Sequence, residues 1–331
     1  MRLLVLGGTH HVGRCAVEAA LAGGWQVTTL NRGLSAPPAA GVDARIADRR
    51  DSAAVTDALG EDDWDLVFDT WSREPSVVRT AAGLLASRAP NYAFVSTRSV
   101  YAWPIPGGAD ESAPVVSGDP SSEDADDYAS AKRGCELAVL EAFGDRALLA
   151  RAGLILGPYE RVGRLPFWLR RLAAGGSVPA PGPPDRPLQY VDGRDLTAWM
   201  VEAGGRGQTG IFNAVSPPGH TTIGALLAEA VAVTGARADL VWLTPGQVEA
   251  AGVTGWTELP IWVPPTGELA ALHDGDTSAA YRAGLRCRPV GETVADTWAW
   301  LLAEGYPADV RPDTGFDEET EARLLAQARE S

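Results

Sequence analysis

The chain opens on an unbroken apolar run, Leu3 to Leu6, of the kind a strand buried on both faces requires. The run breaks at Gly7-Gly8, and from Gly13 a helical pattern takes over, Arg14 to Ala22. The same succession then repeats. Apolar stretches at Trp25–Leu30, Val42–Ala47, Trp64–Thr70, Tyr92–Ser96 and Arg146–Leu154 read as five further strands. Helical patterns at Ser52–Leu59, Val77–Ala89 and about residues 126–143 lie among them, and Pro90 closes the second of these. Strands alternating with helices at this interval predict an α/β fold, a Rossmann-type doubly wound parallel sheet. Ligands of such sheets bind beyond the carboxyl ends of the strands.

The second half is mixed. Leu165–Ala174 reads as an amphipathic helix with Arg170 and Arg171 on its polar side, and residues 178–185 are rich in proline and glycine. Pro187–Asp192, Gly210–Val215 and Ala238–Leu243 read as strands. Helices are expected from Gly193 to Ala203, from Thr222 to about Thr234, and over Glu318–Gln327. With no repeat and no low-complexity linker, the expected division is a cofactor-binding Rossmann domain over residues 1–155 and a smaller mixed substrate-binding region over 156–331. The two are interleaved and the boundary is diffuse.

Composition narrows the function. The formal charge of −15 opposes a nucleic-acid surface or an anionic membrane surface, because both need a basic stripe. No apolar run approaches a transmembrane span, and a first strand starting at residue 2 leaves no room for a signal peptide. Cys15, Cys135 and Cys287 show no metal-ligand spacing and read as idle thiols in a reducing compartment. The expectation is a cytoplasmic protein without metal, membrane or nucleic-acid partner.

Strand, glycine turn and helix together place phosphate oxygens on the free N–H groups of a helix N-terminus. Gly7 and Gly8 tighten the turn so that a pyrophosphate approaches the main chain, and Gly13 lets the helix pack closely on the strand. The expected cofactor contacts here are Gly7, Gly8, Thr9, His10, His11, Val12 and Gly13. A tight turn without ligand has the same pattern; its place before a helix and a second strand favours the cofactor. The second strand ends at Asn31-Arg32-Gly33. An acid there accepts from the ribose 2′-hydroxyl of NAD, whereas an arginine suits the 2′-phosphate of NADP. The acid is missing and Arg32 follows Asn31, so NADP(H) is favoured and NAD(H) remains possible. Asp48 is placed to reach the adenine amino edge and Arg49 to add to the phosphate field. Asp51 reads as a helix N-cap. Thr70, Ser96 and Thr97 fall at the carboxyl ends of the fourth and fifth strands, where Thr70 and Ser96 are expected to contact the cofactor.

Tyr128 and Lys132 are four residues apart on one helix and share a face. A phenol with its ordinary pKa near ~10 is a poor acid or base at neutral pH. A fixed ammonium beside it favours the phenolate, and the same lysine can hold the nicotinamide ribose. Thr97, with Ser96 and Ser99 nearby, supplies a hydroxyl that would polarise a substrate carbonyl. Each motif alone is common by chance; the three in order are not.

With those residues in place, the sequence resembles the extended short-chain dehydrogenase/reductase superfamily, the NAD(P)-dependent epimerase/dehydratase group. The resemblance covers nearly the whole chain. It includes Phe94-Val-Ser-Thr-Arg-Ser-Val-Tyr101, Arg151 with Gly157-Pro158, and Arg186-Pro-Leu-Gln-Tyr-Val-Asp-Gly-Arg-Asp195. It implies that Thr97 and Tyr128 are catalytic, with Lys132 as the tyrosine's partner. Arg186 falls where the family often places a cation near a nucleotide-sugar diphosphate. The C-terminal part is implied to build the substrate pocket, with Ser99, Trp256 and Trp262 as further candidates, although tryptophans more often pack under loops. A homodimer through the helices around Leu84 and Lys132 is also implied. Leu6-Gly-Gly-Thr9 and Leu30-Asn-Arg-Gly33 resemble a bacterial subgroup with a Gly-Gly-Thr-Arg-Phe-x-Gly loop, in which His10-His11 stands for Arg-Phe. Two readings of His10 stand: a donor to a 2′-phosphate, or a structural side chain. Some relatives with this loop, the chloroplast stem-loop-binding proteins, bind RNA; Tyr128, Lys132 and the acidic charge oppose that here.

The expectation is therefore an NAD(P)-dependent oxidoreductase acting on a small-molecule carbonyl, sugar or natural-product-like substrate. The alternatives are a nucleotide-sugar epimerase or dehydratase with a retained cofactor, and a non-catalytic NADP-sensing protein.

Overall fold

The computed structural model describes residues 1–34, 37–307, 310 and 314–329. From the N-terminus run β1 (Arg2–Leu6), α1 (His11–Ala22), β2 (Gln26–Asn31), β3 (Asp43–Ile46), α2 (Ser52–Leu59), β4 (Leu66–Asp69), α3 (Pro75–Leu85) and β5 (Tyr92–Thr97). A long connection leads to α4 (Tyr128–Phe143) and β6 (Ala147–Ala152). Then come β7 (Leu154–Leu156), α5 (Arg164–Ala173), β8 (Gly176–Pro181), β9 (Pro187–Leu188), β10 (Tyr190–Asp192), α6 (Gly193–Gly205) and β11 (Gly210–Ala214). The chain closes with β12 (Thr221–Thr222), α7 (Ile223–Thr234), β13 (Ala238–Leu243), α8 (Pro245–Ala250), α9 (Ser278–Arg282), α10 (Val290–Glu304) and α11 (Glu318–Gln327).

Seven strands form one parallel sheet in the order β11-β6-β5-β4-β1-β2-β3. The apolar run of β1 is unbroken because both of its faces are covered. Leu3 and Val5 join the core under α1 and α6, while Leu4 and Leu6 join the core under α2, α3 and α4. A third core fills the smaller part, with Trp168, Leu172, Leu226, Leu227 and Leu301 fully or nearly fully buried. β11 and α6 come from beyond residue 155 yet complete the large sheet and its cover.

Several elements differ from the sequence expectation for identifiable reasons. α1 begins at His11 rather than Arg14, because a residue without Cβ at 13 lets the first turn lie against the glycine turn. The strand expected over Arg146–Leu154 ends at Ala152; after Gly153 the chain pairs with β10 instead. The strand expected over Pro187–Asp192 divides at Gln189, whose buried side-chain amide donates to the carbonyls of Ser216 and Gly275. The proline-rich residues 176–181 form β8, paired in parallel with β13 in a sheet of two strands among the described residues, and an edge position tolerates prolines without N–H groups. α10 escaped the pattern reading because buried threonines, Thr293 and Thr297, interrupt its apolar stripe. Its brackets were visible: Pro289 precedes it, and Gly305 follows at φ 66°.

Candidate active site

The carboxyl ends of β1, β2 and β4 and the start of α1 surround a cavity of about 500 Å³. Its walls include Gly7, Thr9, His10, Asn31, Arg32, Asp48, Arg49, Thr70, Trp71 and Arg73. Gly7 holds φ 127°, and its N–H donates to the Leu30 carbonyl at 2.9 Å. A Cβ at Gly13 would stand 2.6 Å from the Gly8 nitrogen, so the turn and the helix interlock at main-chain distance. Arg14 N–H bonds the His10 carbonyl, which leaves the amides of His11, Val12 and Gly13 ahead of the first intrahelical bond. The side chain of His10, the N-cap residue, does not cap them. An uncapped helix start opening on a cavity of this size fits the pyrophosphate and nucleoside of a dinucleotide. Gly8 lies just inside, against Thr29, and the Val12 side chain packs on the core.

The rim carries several charges. Asn31 Oδ1 accepts from the Gly33 amide at 2.8 Å and shapes the bend that presents Arg32. Arg32 and Arg73 are both exposed. Asp48 Oδ1 accepts from the Arg50 amide at 3.0 Å, and Asp51 caps α2 through the amides of Ala53 and Ala54. Thr70 Oγ1 donates to the Leu6 carbonyl, fastening β4 to β1 beneath Gly7. Trp71, Ser72 and Arg73 were missed in the sequence, although they follow directly on the end of β4 at the sheet's binding edge.

Two of the expected cofactor residues around this cavity are given to structural work. Arg49 is not a free cation: its guanidinium is buried and bonds both carboxylate oxygens of Asp69, at 2.6 and 2.8 Å. Burial would raise Asp69, but Arg49, the Tyr92 hydroxyl and the Trp71 amide outweigh it, and the pKa is lowered. His11 points away from the cavity. Its Nε2 is buried without a hydrogen-bond partner among the described residues, 3.1 Å from where a Cβ on Gly193 would lie, and burial pushes its pKa down to about 4.

Beside the cavity, β5 ends at Thr97, whose Oγ1 accepts from the Ser99 amide and donates to the Ser99 hydroxyl, both at 3.1 Å. Tyr128 is the first residue of α4, which Asp127 caps. Burial raises the Tyr128 phenol, and a hydrogen bond with the Thr97 side chain opposes the rise. The residue is nevertheless 46% exposed, so a ligand can reach it from solvent. Lys132 does not act on the phenol as expected. Its ammonium is buried, donates to the carbonyls of Trp71 at 2.6 Å and Val95 at 2.5 Å, and lies 4.4 Å from the Phe94 ring centroid. Burial pushes its pKa down to about 8. The cation that favours the phenolate is Arg164, at the start of α5.

The model of the NAD dependent epimerase/dehydratase family matches residues 3–214, well over half of the chain. The chain belongs to this family. It is an NAD-dependent enzyme with a Rossmann fold. Solved structures of similar fold include WbmH of Bordetella bronchiseptica in complex with NAD+, at 17% identity and TM-score 0.67, covering 92% of this chain and 99% of that one. Another is the UDP-glucose 4-epimerase of Thermotoga maritima with UDP-glucose, at 16% identity and TM-score 0.66, with the same coverage of 92% and 99%. A third is the UDP-glucuronic acid 4-epimerase of Bacillus cereus in complex with NAD, at 14% and 0.63, covering 94% and 100%. No curated protein sequence matches the chain.

Relative to the expectations drawn from this family, the substrate side differs at several places. Ser96 is buried and donates to Glu136 Oε1 at 2.7 Å, within a network in which Arg151 bonds both oxygens of Glu136. It is therefore a structural residue rather than a cofactor contact. Arg186 is half-buried, and its guanidinium donates to the carbonyls of Val263, Pro264 and Ala270. That use ties down the 263–270 loop and takes the side chain out of the role of a free diphosphate cation. Trp262 is 2% exposed and belongs to the core of the smaller part, not to an open pocket. Trp256 is partly buried at φ 72°, with the Arg164 guanidinium 4.6 Å above its ring. Ser99 stays beside Thr97. Among the described residues no helix is long and apolar enough to cross a membrane, and no acidic, histidine or cysteine cluster could hold a metal ion.

Proposed function

We propose that this enzyme exchanges hydride between NADP(H) and the carbon of a small-molecule carbonyl or hydroxyl group, with Tyr128 as the acid/base. The observation that carries the reading is that Tyr128, the first residue of α4, lies close enough to Thr97 at the end of β5 for that hydroxyl to oppose the rise of its phenol, next to the cavity. Lys132 supports the adjacency, because it bonds the carbonyl of cavity-lining Trp71 and that of Val95 on the strand carrying Thr97.

The nicotinamide, when bound, supplies or accepts hydride. The protein's own groups manage the oxygen. A phenol raised above its ordinary value is protonated at neutral pH and gives its proton to a carbonyl oxygen as negative charge develops there. Thr97 hydrogen-bonds the same oxygen. Arg164 stabilises the phenolate left behind. Lys132 fixes the ends of β4 and β5 and has one N–H left for a ribose hydroxyl. Arg32 favours the 2′-phosphate of NADP(H), and the lack of an acid at the end of β2 removes the usual partner of the NAD ribose.

Calorimetric titration with NADP+ and NAD+ tests the cofactor, with Arg32→Ala expected to erase a preference for NADP+. An NADPH-oxidation screen over carbonyl compounds tests the chemistry. Tyr128→Phe is expected to lower kcat by roughly 10²–10⁴-fold with unchanged cofactor affinity. Full activity in that variant would refute the assignment.

A second reading, nucleotide-sugar epimerisation, is favoured by solved neighbours that this chain matches along nearly their whole length and whose structures are complexes with UDP-glucose or NAD. It requires that a UDP-sugar be interconverted without net cofactor turnover, by protein purified with its cofactor bound.

A further inference from the structure

We propose that His10 completes a 2′-phosphate site with Arg32 and Arg73, so that NADP+ binding takes up a proton. The inference rests on the NADP(H) reading of the cavity. Three side chains reach this cavity from three elements: His10 from the residue before α1, Arg32 from the end of β2, and Arg73 from beyond β4. His10 is extended, at φ −119° and ψ 149°, and it is exposed. It stands in a glycine turn where a backbone approach alone suffices for a pyrophosphate. The other arginines of the wall are engaged: Arg49 by Asp69, and Arg50 by Glu74 at 2.7 Å. Arg32 and Arg73 have no ion-pair partner among the described residues.

The imidazole differs from the two guanidinium groups in one respect: its charge changes near neutral pH. Burial, then Arg161 in the β7–α5 connection and Arg32, lower its pKa, so it is neutral before ligand arrives. Asp48 is the one acidic residue among the described lining residues. A phosphate dianion placed among these groups reverses the local field, and the imidazole gains a proton and a charged hydrogen bond. NAD+ has no 2′-phosphate and does not reverse it. The phosphate's own second ionisation, near ~6, contributes to any simple pH profile, so the proton count must be compared with a variant.

The test is calorimetry of NADP+ and NAD+ at pH 7 in two buffers of different ionisation enthalpy, on the wild type, His10→Gln and Arg73→Met. The expected wild-type result is uptake of up to about one proton per NADP+ and none with NAD+. His10→Gln should abolish the uptake and weaken NADP+ several-fold. Arg73→Met should weaken NADP+ while leaving NAD+ unchanged and the uptake in place. Equal uptake with both cofactors would put His10 on the pyrophosphate and overturn the proposal. So would uptake that survives in His10→Gln, or none in the wild type. A wild type that prefers NAD+ would instead refute the NADP(H) reading, an outcome seen before any variant is made.

Discussion

Arg32 and Arg49 line one cavity, yet one is open to solvent and the other is buried against Asp69. The burial makes Arg49 part of the frame. Asp69→Ala strands its guanidinium without a partner and is expected to cost about 3–5 kcal/mol in urea unfolding. A surface change such as Arg32→Ala should leave the midpoint nearly unmoved. Lys132 yields a pH prediction. Its folded pKa is about 8, against ~10.4 in an unfolded chain. Between those values the unfolded state holds a proton that the folded state has lost, so stability rises with pH across the window. Below about pH 8 both states are protonated and the burial cost is constant. The thiols of Cys15, Cys135 and Cys287, raised by burial, contribute a slope opposite to that of Lys132, so urea midpoints from pH 7.5 to 10 should fall more steeply with pH in Lys132→Met than in the wild type. None of these burials shows in a local pattern. Arg49 reads as a turn cation until β4 brings Asp69 beside it, and Ser96 reads as a strand-end hydroxyl until Glu136 claims it.

Among the elements, α1 and α2 separate two uses of a helix start. α2 is capped by Asp51, and Asp51→Ala should cost about 1 kcal/mol with cofactor affinity untouched. α1 is uncapped, and its first amides face the cavity. Gly13→Ala forces a Cβ into the backbone of Gly8, which cannot rotate away as a flexible side chain would. That change is expected to lower Tm and abolish cofactor binding together, a pairing that Asp51→Ala lacks. Differential scanning fluorimetry with and without NADP+ distinguishes them. The Asp51 cap was legible because capping depends only on a carboxylate three residues from an amide. The early start of α1 was not, because it depends on how closely the backbones of Gly8 and Gly13 approach once the turn is folded.

For the whole molecule, the large sheet borrows its last strand from the second half of the chain. β11 pairs with β6, and α6 lays Leu196, Trp199 and Met200 on the same core as α1. A fragment ending at residue 155 would leave β6 as a bare edge and that core uncovered. It is expected to be insoluble or to lack cooperative unfolding, and a soluble, sharply melting fragment would show that the second half is dispensable for folding. The sequence by itself determined the parallel α/β class, most of the elements, the glycine turn and the order of Thr97, Tyr128 and Lys132. Strands buried on both faces and helices with one apolar face must repeat their patterns locally, whatever they pack against. Only the tertiary structure decided that Arg186 serves loop carbonyls, that Lys132 grips two strand ends, and that Arg73 joins Arg32 and His10 at one rim. A polar side chain's use depends on which partner lies within about 3 Å, and that partner is set by chain segments far away in sequence.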